Sequence, residues 1–297
     1  MYHDPVLLQA SVDGLLIKPG GTYVDVTYGG GGHSKEILKR LKGGRLIAFD
    51  QDADVEANRI DDDRLTLLNH NFRYLKNFLQ YYRLIPVDGI IADLGVSSHQ
   101  FDVADRGFSF RFGASLDMRM NQNQQQSAAD VLNEYSTGQL TAIFRQYGEL
   151  SNSSQLANKI AAFRKQQKII TSDDLKLAIS GLIEKRHEDK YLAKVFQALR
   201  IETNNELEAL KELLMQSLVV LKKSGRLVVI SYHSLEDRLV KNFMKAGNFG
   251  GILESDLFGN TTPPFELISR KAITPDEKEI SQNKRARSAK LRIAEKK

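Results

Sequence analysis

Thr22-Tyr-Val-Asp-Val-Thr-Tyr-Gly-Gly-Gly-Gly-His-Ser34 decides how the rest of this 297-residue chain is read. Thr22 to Thr27 has the apolar, β-branched character of a buried strand, and Ser34 to Leu41 continues with Ile37, Leu38 and Leu41 at helical spacing. Between them, Gly29 to Gly32 lets the backbone turn sharply and approach a ligand closely, with the amides of the next helix's first turn facing it. Asp25 near the strand end and Asp50 at the end of the next strand stand where an amino group or ribose hydroxyls would be held. The pattern predicts a nucleotide-like ligand.

Downstream, the rhythm repeats. Arg45–Asp50, Leu65–Leu68 and Val87–Asp93 read as further strands, separated by helical patterns around Asp52–Ile60 and through Leu75 and Phe78. Strand–helix alternation at this spacing predicts a doubly wound, largely parallel α/β sheet. From about Arg106 to about Asn204 only loops and helices are expected: Ala128–Glu134, Thr137–Tyr147, Ser153–Gln166, Ser172–Ile183 and Tyr191–Ile201. A helix at Glu206–Leu221 and a strand at Arg226–Ser231 resume the α/β pattern, with strands at Phe265–Arg270 and Ala289–Ala294 after it. The organisation expected is an α/β domain over 1–105 and 205–297, with an all-helical domain inserted over 106–204.

Which ligand is narrowed by detail. A dinucleotide fingerprint wants Gly-x-Gly-x-x-Gly, whereas Gly29 and Gly31 are followed by Ser34 in the third glycine's place. An acid ahead of the glycines, as at Asp25, suits a cationic ammonium or sulfonium better than a pyrophosphate, which favours S-adenosylmethionine over NAD. Asp93-Leu-Gly-Val-Ser-Ser98 ends the fourth strand, where open α/β sheets place their sites, and Asp93 is a candidate for touching cofactor or substrate. Phe108-Ser-Phe-Arg-Phe112 and Asp117-Met-Arg-Met120 mix aromatics with arginines, which suits either stacking on unpaired bases and pairing with phosphates or a hinge packing the insert onto the core. In Ser231-Tyr-His-Ser-Leu-Glu-Asp-Arg238, Ser234 with Asp237 reads as a helix start and His233 as a residue projecting towards substrate.

Other classes are excluded or disfavoured by composition. With no cysteine, thiolate catalysis, disulfides and Cys-ligated metal centres are ruled out. No Gly-x-Ser-x-Gly elbow supports hydrolysis, the six histidines show no metal-binding spacing, and no metal is expected. The lack of a basic leader with an apolar stretch behind Met1, and of any long apolar run, predicts a cytoplasmic protein with no membrane partner. A net charge of +5 leans only weakly to a polyanion, but Lys284, Arg285, Arg287, Lys290, Arg292, Lys296 and Lys297 gather at the end as a basic patch or a solvated tail.

In order, His3-x-Pro5-Val-Leu-Leu8, Asp25–Ser34, Asp93–Ser98, Arg106-Gly-Phe-Ser-Phe110, Leu116–Met120, Phe196-Gln-Ala-Leu-Arg200, Ser231–Arg238 and Arg285-Ala-Arg-Ser288 resemble the ribosomal RNA small-subunit methyltransferase H family (RsmH, also called MraW). The resemblance spans essentially the whole chain. It implies a Rossmann-like class I methyltransferase sheet, an inserted helical domain for substrate recognition, and methylation of the exocyclic N4 amine of a cytosine in the decoding region of 16S ribosomal RNA by S-adenosylmethionine. The implied partner is that RNA within the small ribosomal subunit, with a homodimer as an optional assembly. Carried over by motif, the implied cofactor contacts are Gly31, Gly32, His33, Asp50, Phe72, Asp93 and Gln100, with Phe72 packing on the adenine. Asp93, Asp117 and His233 are the candidates for accepting the amine's N–H. Three departures stand out: Tyr28 where the family usually has Phe, Lys194-Val195 in place of Arg-Thr, and Lys284 in place of Pro.

Overall fold

A computed structural model describes residues 5–111, 113–256 and 259–297, with the Ser98 side chain left aside. His3 and Phe112, both in the motifs above, lie outside the described residues. The chain divides into two compact units, 1–95 with 207–297, and 96–206.

In the first unit, α1 (Leu8–Gly14) precedes β1 (Thr22–Asp25), α2 (Gly32–Arg40), β2 (Arg45–Phe49), β3 (Leu65–Leu68), α3 (Leu75–Tyr81) and β4 (Val87–Asp93). The second unit holds α4 (Ser98–Asp102), α5 (Ala128–Glu134), α6 (Thr137–Gln146), α7 (Ser153–Phe163), α8 (Ser172–Ala178) and α9 (Glu188–Asn204). The first unit then continues from α10 (Glu206–Val220) through β5 (Leu221–Ser231), α11 (Ser234–Ala246), β6 (Phe265–Leu267) and α12 (Glu277–Gln282) to β7 (Lys290–Lys296).

The seven strands form one sheet in the order β3-β2-β1-β4-β5-β7-β6. β1 to β5 run parallel, as continuous apolar runs buried on both faces require, and β7 lies antiparallel between β5 and β6. Apolar residues of alternate parity feed two cores, Val24, Ile47, Ile90 and Val229 on one face and Tyr23, Leu46, Ile91 and Val228 on the other. Winding reverses between β1 and β4, so the carboxyl ends of those two strands bound the crevice where doubly wound sheets hold ligands.

The helices expected at Asp52–Ile60 and Ser172–Ile183 depart most from their expected bounds. Instead of a helix over Asp52–Ile60 there is a single 3-10 turn, Ala53–Asn58. The Tyr28 hydroxyl donates to the Asn58 carbonyl at 2.8 Å and accepts from the Ile60 amide at 3.0 Å, taking two groups a continuing helix would use. α8 stops at Ala178, and three residues on Gly181 turns left-handed at φ +72°. The helical unit begins at Val96, where Arg106 was expected, because Val96 and Phe101 pack onto the helical core with Phe108, Leu116 and Met118.

The aromatic–arginine motifs are part of that core. Arg106 is buried, donates to the carbonyls of Arg119 and Met120, and lies over the Phe108 ring at 5.9 Å. Phe108, Leu116, Met118 and Met120 are all buried, and Phe110 packs edge-on against Phe196 at 5.6 Å. Phe108 and Phe110 serve the helical unit's own core, a role that neither sequence reading of the motif named.

The basic end is mostly not a tail. Lys290, Arg292 and Lys296 lie in β7, where Arg292 and Lys290 pair with Asp237 at 2.6 and 3.2 Å and Lys296 donates to the carbonyls of Leu218 and Leu221. Pairing with β5 and β6 claims these residues for the sheet.

Candidate active site

The glycine turn is built from its own side chains. Asp25 is buried at the end of β1, accepting from the Thr27 amide at 3.1 Å and from the Ser34 hydroxyl at 2.7 Å. Ser34 therefore replaces the third glycine for a reason: its hydroxyl reaches back across the turn and satisfies the buried acid. Expected to face a ligand, Asp25 is instead the internal brace of the loop, and burial raises its pKa despite His33 nearby.

Gly31 is left-handed at φ +73° and forms the N-cap of α2. A Cβ there would lie 2.8 Å from the Tyr28 hydroxyl, and one on Gly32 would lie 2.0 Å from Pro5 Cγ. Both glycines thus answer to packing against Tyr28 and Pro5, in addition to any closeness to a ligand.

Asp50 closes the turn from the next strand. One carboxylate oxygen accepts from the Gly29 amide at 2.8 Å and the other from the Asp52 amide at 3.0 Å. Each oxygen keeps a further lone pair for a hydroxyl or ammonium. Burial, opposed by those two amides, raises the Asp50 pKa to about 6. Beyond β3, Asn69 donates to the Asp50 carbonyl at 3.1 Å and Asn71 to the Gln51 side chain at 2.7 Å. Asn71 also caps the short turn Phe72–Tyr74, so Phe72 is held at the carboxyl edge, half-buried.

At the end of β4, Asp93 receives a 2.7 Å hydrogen bond from the Tyr232 hydroxyl on one oxygen, and its other oxygen lies 3.8 Å from His33 Nδ1. Its amide donates to Thr27 Oγ1 at 2.6 Å, tying β4 to the turn after β1. Burial pushes the Asp93 pKa up to about 6, with His33 and the Tyr232 hydroxyl working the other way. His33 is buried and, among the described residues, its Nε2 has no hydrogen-bond partner. A buried polar atom without a partner in a crevice of acids is a feature a ligand would satisfy.

The remaining candidates occupy other settings. His233 is the N-cap of α11: its Nδ1 accepts from the Glu236 amide at 3.4 Å, and its Nε2 stands 3.2 Å from Glu236 Oε1. The expected cap at Ser234 thus moves one residue earlier, and His233 has a local task in place of projecting towards substrate. Gln100, buried in the helical unit, closes a capping box with Ser97 through contacts of 3.1 and 3.2 Å. Asp117, also in the helical unit, accepts from the Arg119 amide and guanidinium at 2.7–2.9 Å in a bidentate pair. The first unit therefore gathers Gly31, Gly32, His33, Asp50, Phe72 and Asp93 at one sheet edge, while His233 caps the helix beyond β5. Tyr232 lies in the quoted Ser231–Arg238 stretch but carries no local signal, because its partner Asp93 is 139 residues away on the neighbouring strand.

A parallel sheet in this order with an antiparallel β7, a glycine turn after β1 and acids ending β1, β2 and β4 defines a Rossmann-like class I methyltransferase. The model of the MraW methylase family matches residues 1–297, and the chain belongs to that family. The chain is 59% identical over 297 residues to the ribosomal RNA small subunit methyltransferase H of Bacteroides fragilis, covering 100% of this chain and 98% of that protein. Identity to the protein of the same name from Flavobacterium johnsoniae is 56%, with 99% and 98% covered.

Proposed function

We propose that this protein methylates the exocyclic N4 amine of a cytosine in the decoding region of 16S ribosomal RNA, with S-adenosylmethionine as donor and Asp93 as the acceptor of the amine proton. The observation that carries this reading is the Asp93 carboxylate: oriented at the winding reversal by one phenolic hydrogen bond, with its second oxygen facing His33 at a distance too long for a hydrogen bond.

The residues fit the cofactor. The charges bearing most on Asp93 and Asp50 are other acids and His33, so the crevice is short of positive charge, which a sulfonium with an ammonium would provide. Asp50 is placed for the ribose hydroxyls, Phe72 for the adenine, and His33 Nε2 offers the remaining polar contact. The glycine turn brings backbone amides of α2 alongside. When bound, the donor supplies a methyl on a sulfur that is already a good leaving group, so the chain's residues need only orient the amine and remove its proton.

Cytosine's amine is a poor nucleophile because its lone pair is delocalised into the ring. Positioning supplies up to roughly 7–11 kcal/mol in favourable systems. A carboxylate accepting one N–H favours a pyramidal nitrogen and then takes the proton. Asp93 is ionised for this above about pH 6. Asp117, with both oxygens held by Arg119, and His233, capping α11, are the weaker candidates.

The helical unit 96–206 is the proposed substrate-recognition domain, with Gln100 as its contribution to cofactor binding, the cytoplasm as location and the assembled small subunit as partner. Among the described residues no helix is long and apolar enough to cross a membrane. A homodimer remains an option for sedimentation to decide. Calorimetry tests the cofactor: S-adenosylmethionine binds and Asp50→Ala abolishes it, whereas tight binding of NAD would refute the assignment. Methyl transfer only to another RNA, a protein or a small molecule would overturn the substrate.

A further inference from the structure

The phenol that orients the proposed proton acceptor belongs to Tyr232, a partly buried residue directly after β5. We propose that Tyr232 is a positioning residue for methyl transfer: its hydroxyl fixes one oxygen of Asp93 so that the other stays turned to the substrate amine. This rests on Asp93 being the acceptor.

Three observations support it. The contact is 2.7 Å, between groups 139 residues apart, and it spans the ends of β4 and β5, which lie side by side in the sheet. Second, Tyr232 is itself held. Its amide donates to Glu236 Oε2 at 2.9 Å while the Glu236 amide donates to His233 Nδ1, so the start of α11 locks the backbone from which the phenol extends. Third, the backbone runs beside the ring: Gly95 is left-handed at φ +97°, and a Cβ there would make ordinary van der Waals contact with the ring's Cδ2 at 3.5 Å. The turn after Asp93 thus passes beside the ring of the residue that holds Asp93.

The hydroxyl acts only as a donor. Burial raises the Tyr232 pKa well above its ordinary value, and the nearby Asp93 raises it further, so the proton stays on the phenol throughout the working range. The groups facing Asp93 are His33 from α2, Asp25 from β1, and Tyr232 and Glu236 from the β5–α11 junction. His33 and the phenol favour the carboxylate, whereas Asp25 and Glu236 oppose it. In the reaction, the amine N–H breaks, its electron pair remains with nitrogen, and the proton passes to the Asp93 oxygen the phenol does not occupy. Donation to the first oxygen leaves a single basic site and lowers its tendency to protonate prematurely.

Tyr232→Phe keeps the ring beside Gly95 and removes the donor alone. Turnover is expected to fall about tenfold with the KM for S-adenosylmethionine unchanged, as for loss of one charge-assisted hydrogen bond. The acidic limb of the kcat–pH profile moves to higher pH, and carbon-detected titration of the Asp93 carboxyl moves with it. An unmoved limb, or a raised KM for RNA with the carboxyl titration unchanged, overturns the proposal by making the phenol a substrate contact or mere packing. Asp93→Asn separates the two levels: if it keeps full turnover, the acceptor reading itself fails. If Asp93→Asn is inactive and Tyr232→Phe behaves as wild type, only the role of Tyr232 falls.

Discussion

At the residue scale, the acids at the strand ends do two jobs whose pH signatures differ. Asp50 and Asp93 both titrate at about 6. A cationic donor prefers them ionised, so its Kd is expected to rise as pH falls through 6, by about tenfold per pH unit for each group that must lose its proton. Calorimetry from pH 8 to pH 5 measures this, and a flat Kd would contradict it. Stability runs in the opposite sense. An aspartate whose folded value is raised binds protons more readily folded than unfolded, so its destabilising effect accumulates between about pH 4 and 6 and is fully present above that. Asp93→Asn, which keeps an oxygen for the Tyr232 donor, is therefore expected to stabilise the ligand-free protein by about 1–3 kcal/mol at pH 7 and by nothing near pH 4, read by urea unfolding. The glycines give a second residue-scale test. Gly32→Ala places a Cβ 2.0 Å from Pro5 Cγ and is expected to cost about 1–3 kcal/mol. Pro5→Gly in the same chain should recover most of that, because the obstacle is the ring.

At the element scale, the starts of helices carry more of the site than their composition suggests. His233 caps α11, and His233→Ala is expected to lower stability by about 1 kcal/mol while kcat stays within a few-fold of wild type. A large loss of kcat with stability unchanged would restore His233 as a candidate acceptor. The α/β alternation, the strand before the glycine turn and the helices of the insert were legible in the sequence, because continuous apolar runs and 3.6-residue spacing are local signals. What escaped was set by distant partners. The segment after Asp52 has helical composition, but the Tyr28 hydroxyl takes the Asn58 carbonyl and the Ile60 amide. Ser34 looked like a defective third glycine until its bond to buried Asp25 was visible. Phe108 and Phe110 fit a base-stacking pattern, and only the burial of Phe108 and the contact of Phe110 with Phe196 show their place in the helical core. Tyr232 could not be ranked above His233 without knowing that β4 and β5 are neighbours.

For the whole molecule, the sheet is finished by the last residues of the chain. β7 lies between β5 and β6, and its cations pair inward with Asp237 and Glu295 with Arg226. A chain ending before Lys290 is therefore expected to lose cooperative unfolding altogether, which circular dichroism during urea titration would show. A folded truncation with weaker RNA binding would instead mean that this segment is a separable basic tail. The α/β unit supplies the crevice of acids and the glycine turn, and the helical unit is the proposed means of choosing the RNA. The decisive measurement joins both: small subunits from cells lacking this methylation are incubated with the protein and S-adenosylmethionine, and the 16S RNA is mapped by mass spectrometry. One added methyl on the N4 amine of a single decoding-region cytosine, absent with Asp93→Asn, is the predicted result; a methyl on any other position, or none on RNA at all, would contradict it.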